Sequence, residues 1–238
     1  MRPVDMPIRT PLLRRFVGLA GARVVLPAAV YELIAVGGQL MIAAGVTLVG
    51  QEGVALAGYY ARLVVESEGV SFESMHLPLG VMIREGGLTM KKCTSTGQEI
   101  SVQEGASLVM EDTRTFGSSG FGVTCLGDVK ATRCTVEDNG HTGVYVDGEE
   151  ASAELVDFVI RKNGQHGVYV YESKVVLRGG MISENKLQGV DAFSGGKVTV
   201  AKAEEGKPQT VSKDNDEGHD WAAAGDEIIG IPQEKINA

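Results

Sequence analysis

The stretch Asn139–Phe193 decides the fold, because one short unit returns in it three times. The unit reads N-G-H-T-G-V-Y-V-D at Asn139–Asp147, N-G-Q-H-G-V-Y-V-Y at Asn163–Tyr171 and, more loosely, N-K-L-Q-G-V-D-A-F at Asn185–Phe193. The first residues of the three copies are 24 and 22 positions apart. A repeat of this length is typical of a stacked array, since a single unit cannot bury its apolar side alone.

Side chains alternate in character within each unit. Val144 and Val146 face one way in the first copy while Tyr145 faces the other, and the later copies repeat this pattern at 168–170 and 190–192. A period of two indicates a β-strand. The region has no helical run long enough for a crossover helix, which argues against a doubly wound α/β fold. Strands that recur in this way and stack in parallel predict a β-solenoid with coils about 4.8 Å apart.

The N-G-x-x-G-V-x-V unit resembles the coil of right-handed parallel β-helices, the pectin-lyase-like fold, and especially repeats of the carbohydrate-binding and sugar-hydrolysis type. The resemblance implies an all-β, single-domain, right-handed parallel β-helix. A left-handed solenoid would need a sustained apolar period of about six residues, and the sequence has none. From the strand-like runs between glycine-rich bends we expect about eight to ten coils.

Three segments are predicted along the chain. Residues 1–22 comprise a leader and a short amphipathic helix, for which Thr10 is the N-cap and Gly21 the end. In the resembled family such a helix commonly caps the first coil. Residues 23–231 form the β-helix, and residues 232–238 form a C-terminal tail.

The repeated asparagines predict a structural ladder. Asn139, Asn163 and Asn185 fall at the same bend of successive coils, where a short amide can adopt unusual backbone angles and bond to the chain above and below. We expect Asn215 to hold the next position and Trp221 to seal the top of the core. Glycines follow the asparagines at a fixed interval and indicate a steric demand at the same corner: Gly143, Gly167 and Gly189.

Composition excludes several classes of partner. The chain carries 22 basic and 31 acidic residues, a net charge of −9, and no basic stripe, which argues against nucleic acid. It has no apolar run of about 18 residues, so we predict no membrane span. No metal or other cofactor is predicted, and the oligomeric state is left open.

The cysteines and the N-terminus bear on the compartment. Cys93, Cys125 and Cys134 lack C-x-x-C spacing, and Cys125 falls at an inward position, as a small buried hydrophobe would. Reduced thiols and the absence of a secretory leader predict an intracellular, cytoplasmic protein. Organelle targeting stays open, because the first 15 residues hold several arginines and a single acidic residue.

The candidate site lies on the outward side of the repeats, since enzymes of the resembled fold act on polysaccharides along one outward sheet. Aligning the coils places Tyr145, Tyr169 and Asp191 in one outward column and Asp147 and Tyr171 in the next. Aromatic rings beside carboxylates can stack on sugars and bond their hydroxyl groups. The same tyrosines can instead stack on one another along a solvent-facing ladder. We take these five as ligand-binding candidates and predict no catalytic residue and no metal ligand.

The histidines are expected to be surface residues. His141 and His166 are 25 residues apart where the repeat is 24, so they occupy adjacent columns. Both sit in bends, which favours exposed side chains over a metal pair.

Two main functions follow. The favoured hypothesis is a non-catalytic module that binds a carbohydrate or a protein through the outward face, because the repeats carry no convergent acid–base set. The alternative is a small polysaccharide lyase, glycoside hydrolase or uronan epimerase of the pectin-lyase-like fold, with its site around Tyr145, Asp147, Tyr169 and Asp191. The D-P-H-D run of alginate epimerases is absent. A structural part of a larger assembly is a third possibility.

Overall fold

The computed structural model describes residues 21–26, 30–32, 39–42, 45–51, 54–57, 62–216, 220–223, 227–232 and 235–236. In these residues the chain is all β, with strands numbered β1 to β24 along the chain. Every strand pairing is parallel, as the repeat predicts. The predicted capping helix lies outside the described residues, which contain no helix long and apolar enough to cross a bilayer.

The strands form three stacks around one core, joined by long strands that bend from one stack to the next. The first sheet contains β3 (Gln39–Ile42), the start of β6 (Arg62–Glu73) and of β8 (Gly80–Lys91), β10 (Ile100–Val102), β13 (Val123–Cys125), β16 (Val144–Asp147), β18 (Val168–Tyr171), β20 (Val190–Phe193) and β23 (Trp221–Ala223).

The second sheet contains the remainder of β6 and β8 together with β1 (Ala22–Leu26), β4 (Val46–Gly50), β11 (Ser107–Glu111), β14 (Asp128–Thr132), the start of β17 (Ser152–Arg161) and of β19 (Lys174–Ser183), β21 (Lys197–Ala201) and β24 (Glu227–Ile229). The third sheet contains the remainder of β17 and β19 with β2 (Val30–Glu32), β5 (Ala55–Ala57), β7 (His76–Leu77), β9 (Thr94–Thr96), β12 (Arg114–Phe116), β15 (Thr135–Glu137) and β22 (Val211–Lys213).

The continuous part of the solenoid makes about seven turns, from β6 to β23. The strands β1–β5 extend the stacks below it. The expected eight to ten coils also include these short strands before Arg62, and ten described strands stack in the second sheet from β1 to β24.

The inward residues form files that run through the core. Val144, Val168 and Val190 pair in register and are no more than 2% exposed, so equivalent positions of consecutive coils lie over one another as predicted. Cys125 is buried at the same inward side, and Trp221 continues the file above Val190. Removing these files of apolar side chains from water is the main stabilising contribution to the fold.

The asparagine ladder is present at one corner. Asn139 donates to Asn163 at 3.0 Å, Asn163 to Asn185 at 2.9 Å, and Asn185 to Asn215 at 2.8 Å, all through side-chain amides. The expectation of unusual backbone angles at the asparagines is wrong by one position. The left-handed conformation falls on the preceding residue of each coil, for example Lys162 with φ 56°, because the turn is made before the amide enters the corner.

The glycine four residues after each asparagine leaves room for the asparagine ladder. A Cβ added to Gly167 would lie 2.8 Å from Nδ2 of Asn185 and 2.5 Å from a methyl group of Ile182. The predicted steric demand is therefore confirmed.

Candidate functional site

The outward side of β13, β16, β18 and β20 carries the predicted candidates. Strand register places Thr124, Tyr145, Tyr169 and Asp191 in one column and Asp147, Tyr171 and Phe193 in the neighbouring column. The predicted juxtaposition of the five candidates is therefore present. Their role in ligand binding stays a prediction.

Two rings of the first column stack with a third from the bend before β13, and we call Phe121, Tyr145 and Tyr169 the aromatic ladder. Ring centroids are 4.9 Å apart between Phe121 and Tyr145 and 5.7 Å apart between Tyr145 and Tyr169, with interplanar angles of 20° and 12°. Because the faces of the Tyr145 ring are covered by its neighbours, mainly its edge is left for contact with solvent. The ladder thus stabilises the sheet through cross-strand stacking.

Sequence alignment of the coils missed Phe121, although a signal was present. Phe121 stands immediately before Gly122, the position that His166 occupies before Gly167 in a later coil. The rings of Phe121 and His166 both lie against tyrosine rings of the outward face. The ring of Phe121 also meets His141 edge-on, with centroids 5.5 Å apart.

The second column presents the more open apolar surface. The rings of Tyr171 and Phe193 stack with centroids 6.0 Å apart, and 45% of Phe193 is exposed. Asp147 lies directly beneath Tyr171 in register. This column therefore offers two aromatic rings next to one carboxylate.

Tyr145 is tied to Asp147 by a hydrogen bond in which its hydroxyl group donates to Oδ2 at 2.9 Å. Burial of the phenol, this hydrogen bond and the nearby negative charge of Asp147 raise the pKa of Tyr145 to about 12. A phenol with that pKa stays protonated near neutral pH, so Tyr145 is poorly suited to act as a general base.

His166 is not the exposed residue that the sequence predicted. Its ring lies 5.0 Å from that of Tyr169, its Nδ1 is 3.8 Å from Oδ2 of Asp191, and only 13% of its side chain is exposed. Burial lowers the pKa of His166 to about 4, which keeps the imidazole neutral at physiological pH. The bend folds the side chain back onto the outward face, where the next coil covers it. His141 is exposed, as predicted.

The charged side chains on this face are all acidic. Of the outward side chains on the four strands, Asp147 and Asp191 carry charge, and neither lysine nor arginine occurs among them. Among the described residues no group of three or more His, Cys, Asp or Glu side chains could hold a metal ion.

The cysteines do not supply a nucleophile. Burial raises the pKa of Cys93 and Cys134 to about 11 and that of Cys125 to about 12, so all three stay as thiols near neutral pH.

The fold and this register define a right-handed β-helix protein. The sequence matches the family model described as right handed beta helix region over residues 49–174 and 124–204. These matches cover more than half of the chain, which therefore belongs to the right-handed β-helix family.

One solved structure agrees with this fold. The mannuronan C-5 epimerase AlgE4 A-module of Azotobacter vinelandii is similar with a TM-score of 0.56 and 16% identity, over 86% of this chain and 72% of that one. ORF18 of Geobacillus virus E2 aligns with a TM-score of 0.38 and 11% identity, over 83% and 53% of the two chains, too distant to support an argument. The first similarity shows the fold alone. No curated protein sequence matches this chain.

Proposed function

We propose that this protein is a non-catalytic carbohydrate-binding β-helix that holds a neutral polysaccharide across the outward face of β16, β18 and β20. The observation that carries the proposal is the pairing of Tyr171 and Phe193 beside the carboxylate of Asp147. Exposed rings pack against the apolar faces of sugars, and a carboxylate accepts hydrogen bonds from sugar hydroxyl groups.

The charge of the face favours a neutral chain over a polyuronate. Asp147 and Asp191 would repel a uronate carboxylate, and no basic outward side chain on the four strands offsets them. The relation to a module that is named for its action on mannuronan supports carbohydrate as the ligand class. This similarity supports carbohydrate as a class and does not identify mannuronan as the ligand.

The arrangement of titratable groups favours binding over catalysis. Asp147 and Asp191 lie two coils apart, which amounts to about 9.5 Å of rise before any lateral offset. That separation is far beyond the roughly 5 Å of a retaining hydrolase and at the upper limit for an inverting one. Tyr145, with its raised pKa, and His166, with its buried Nδ1, are weak candidates for a proton-abstracting base.

A panel of neutral and acidic polysaccharides, measured by affinity electrophoresis and calorimetry, tests the proposal. We expect binding to a neutral chain and a loss of about tenfold in affinity for Phe193→Ala, since one ring contact contributes on the order of 1 kcal/mol. Val109→Ala is the matched control. Val109 is also an exposed apolar residue, but it lies on the outward face of the second sheet, away from the proposed ligand. Binding of a protein in place of every polysaccharide, or equal loss in both variants, contradicts the proposal.

One observation favours an enzyme as the second candidate. His166, Tyr169 and Asp191 form a half-buried cluster on the same face, with the residue types that a lyase or epimerase would use. Polyuronates incubated with the protein in deuterated water test this candidate. Deuterium at the sugar C5 position, or an unsaturated product, that disappears in His166→Gln would establish turnover and rule out the non-catalytic proposal.

A further inference from the structure

A groove of about 660 Å³ lies on the third sheet, away from the aromatic ladder. Its floor is formed by outward side chains of three successive coils, because Val159, Met181 and Val211 pair in register. Val211 is 44% exposed although it is apolar. Three apolar residues in one outward file leave an apolar strip on the surface that is exposed to water.

One wall of the groove is the segment 202–210, which connects β21 to β22. Nζ of Lys207 is 3.0 Å from Oδ2 of Asp157, and Arg178 donates to the carbonyl of Lys202 at 3.1 Å. Gly179 permits this approach, since a Cβ there would lie 3.1 Å from the carbonyl oxygen of Pro208. The wall is therefore held against the solenoid at several points.

The rim of the groove is positively charged. Arg133, Lys207 and Lys213 line it, with Asp157 as the opposing acid among the lining residues. Lys207 is paired with Asp157, and Arg133 is paired with Glu111 and Asp112 from outside the groove. Lys213 has a 3.5 Å contact with its neighbour Asp214, but both are more than half exposed, so that pair is weak and the ammonium group can contact another anion.

From these features we propose that the groove binds a small amphipathic carboxylate, with its apolar body on Val159, Met181 and Val211 and its carboxylate at Lys213. The volume lies within the roughly 300–1,000 Å³ of small-molecule sites. The floor spans only about 10 Å along the solenoid axis, too little for the roughly 800 Å² per partner that a stable protein interface buries. This site is independent of the proposed carbohydrate face.

Calorimetry tests the chemistry with three probes that share a ten-carbon alkyl chain, the two ionic probes below their micelle-forming concentrations and decanol below its solubility limit. Decanoate has the proposed charge, decanol has none, and decyltrimethylammonium has the opposite charge. We expect decanoate to bind at one site per chain, decanol about fivefold more weakly, and the cation not at all, since one charge contact contributes about 1 kcal/mol. Failure of decanoate to bind, or equal binding of the cation, overturns the proposal.

Variants then locate the site. Val211→Asp puts a negative charge on the floor, and Lys213→Glu reverses the charge at the rim, so each should weaken decanoate binding tenfold or more. Val109→Asp and Lys130→Glu are matched controls, because both residues are outward on the second sheet and are exposed. We expect the controls to bind as the wild type does. Equal loss in variants and controls contradicts the assignment.

A second readout covers the case in which a variant fails to fold. In the unmodified protein, decanoate should shift the methyl NMR signal of Met181 and leave that of Met110, which is buried in the core, unchanged. Tyr171→Ala should leave this shift intact, which separates the groove from the carbohydrate proposal. An unshifted Met181 signal, or a groove occluded by dimerisation in sedimentation measurements, overturns the proposal.

Discussion

Tyr145 and Asp147 lie two residues apart on one strand, and the hydroxyl group of the tyrosine donates a 2.9 Å hydrogen bond to the carboxylate. Side chains two positions apart in a strand point to the same face, so the repeat itself brings these groups together. The bond occupies one oxygen of Asp147 and stabilises the neutral phenol. It therefore links the ladder of the first column to the acid of the second.

Replacement of Asp147 by asparagine should lower the pKa of Tyr145 from its value of about 12. Burial, the largest cause of the raised pKa, persists in the variant, so the shift should be partial. Because the pKa of Tyr145 is raised in the folded state, its contribution to stability is present below pH 10 and is lost as the pH rises toward 12. Difference absorbance of tyrosinate measures the change, and Asp138→Asn, at an exposed bend, is the control.

His166 should make the protein less stable in mild acid. Its folded-state pKa of about 4 lies below the unfolded value of about 6.5, so the unfolded chain binds the proton first. Stability from this residue is present above about pH 6.5 and is lost as the pH falls toward 4. Thermal melts across this window should show a shallower pH dependence for His166→Gln. His141→Gln, at an exposed bend, is the control.

Glu137 is a buried acid held between two arginines of neighbouring coils. Nε of Arg114 and Nε of Arg161 donate to its two carboxylate oxygens at 2.6 and 2.7 Å, while the Glu137 side chain is 3% exposed. Burial opposes ionisation, but the hydrogen bonds from Arg161 and Arg114 more than offset it and hold the pKa of Glu137 below its usual range.

We expect Glu137→Gln to lower the free energy of unfolding by about 2 kcal/mol at neutral pH, because two arginines lose a buried charged partner. The pKa of Glu137 is lowered on folding, so its contribution is present above the unfolded pKa and is lost as the pH falls through the folded one. The difference between variant and wild type should shrink in acid. Urea denaturation at several pH values measures it, with the exposed Glu149→Gln as control. A difference independent of pH would rule out the charge explanation.

The central asparagine of the ladder should contribute more to the free energy of unfolding than the asparagine at its end. Asn163 is 0% exposed and bonds to Asn139 below and Asn185 above, so Asn163→Ala leaves buried amide groups without partners. A loss of about 3 kcal/mol is expected, from about 1–3 kcal/mol for each unpaired group. Asn215→Ala, at the partly buried end, should cost about 1 kcal/mol. Equal losses in chemical denaturation would show that the ladder does not act through burial.

The sequence predicted most of the solenoid between Asn139 and Phe193. The alternation Val144, Tyr145, Val146 assigns each residue to the core or the surface, and a slip of one residue would turn every apolar side chain outward. The register Tyr145 to Tyr169 to Asp191 therefore followed from the repeat alone. The coil count was harder, because the stretch before Arg62 carries no regular repeat.

The bends were predicted less well than the strands. His166 was expected at the surface and Phe121 went unnoticed, yet both pack on tyrosines of the outward face. A bend residue has no fixed alternation, so its direction depends on the path of the chain around the corner. Coil alignment gives the position of such a residue but not the coil that its side chain touches.

The repeat by itself determined which side chains are buried and which share a column, because parallel strands in register repeat that assignment at every turn. Only the tertiary structure decided how rings orient within a column, how the segment 202–210 folds back to enclose a groove, and that Arg133 and Lys213 both line its rim. These features depend on contacts between residues far apart in the sequence and on different coils. A local pattern cannot encode them, since each is set by the geometry of the corners that bring the coils together.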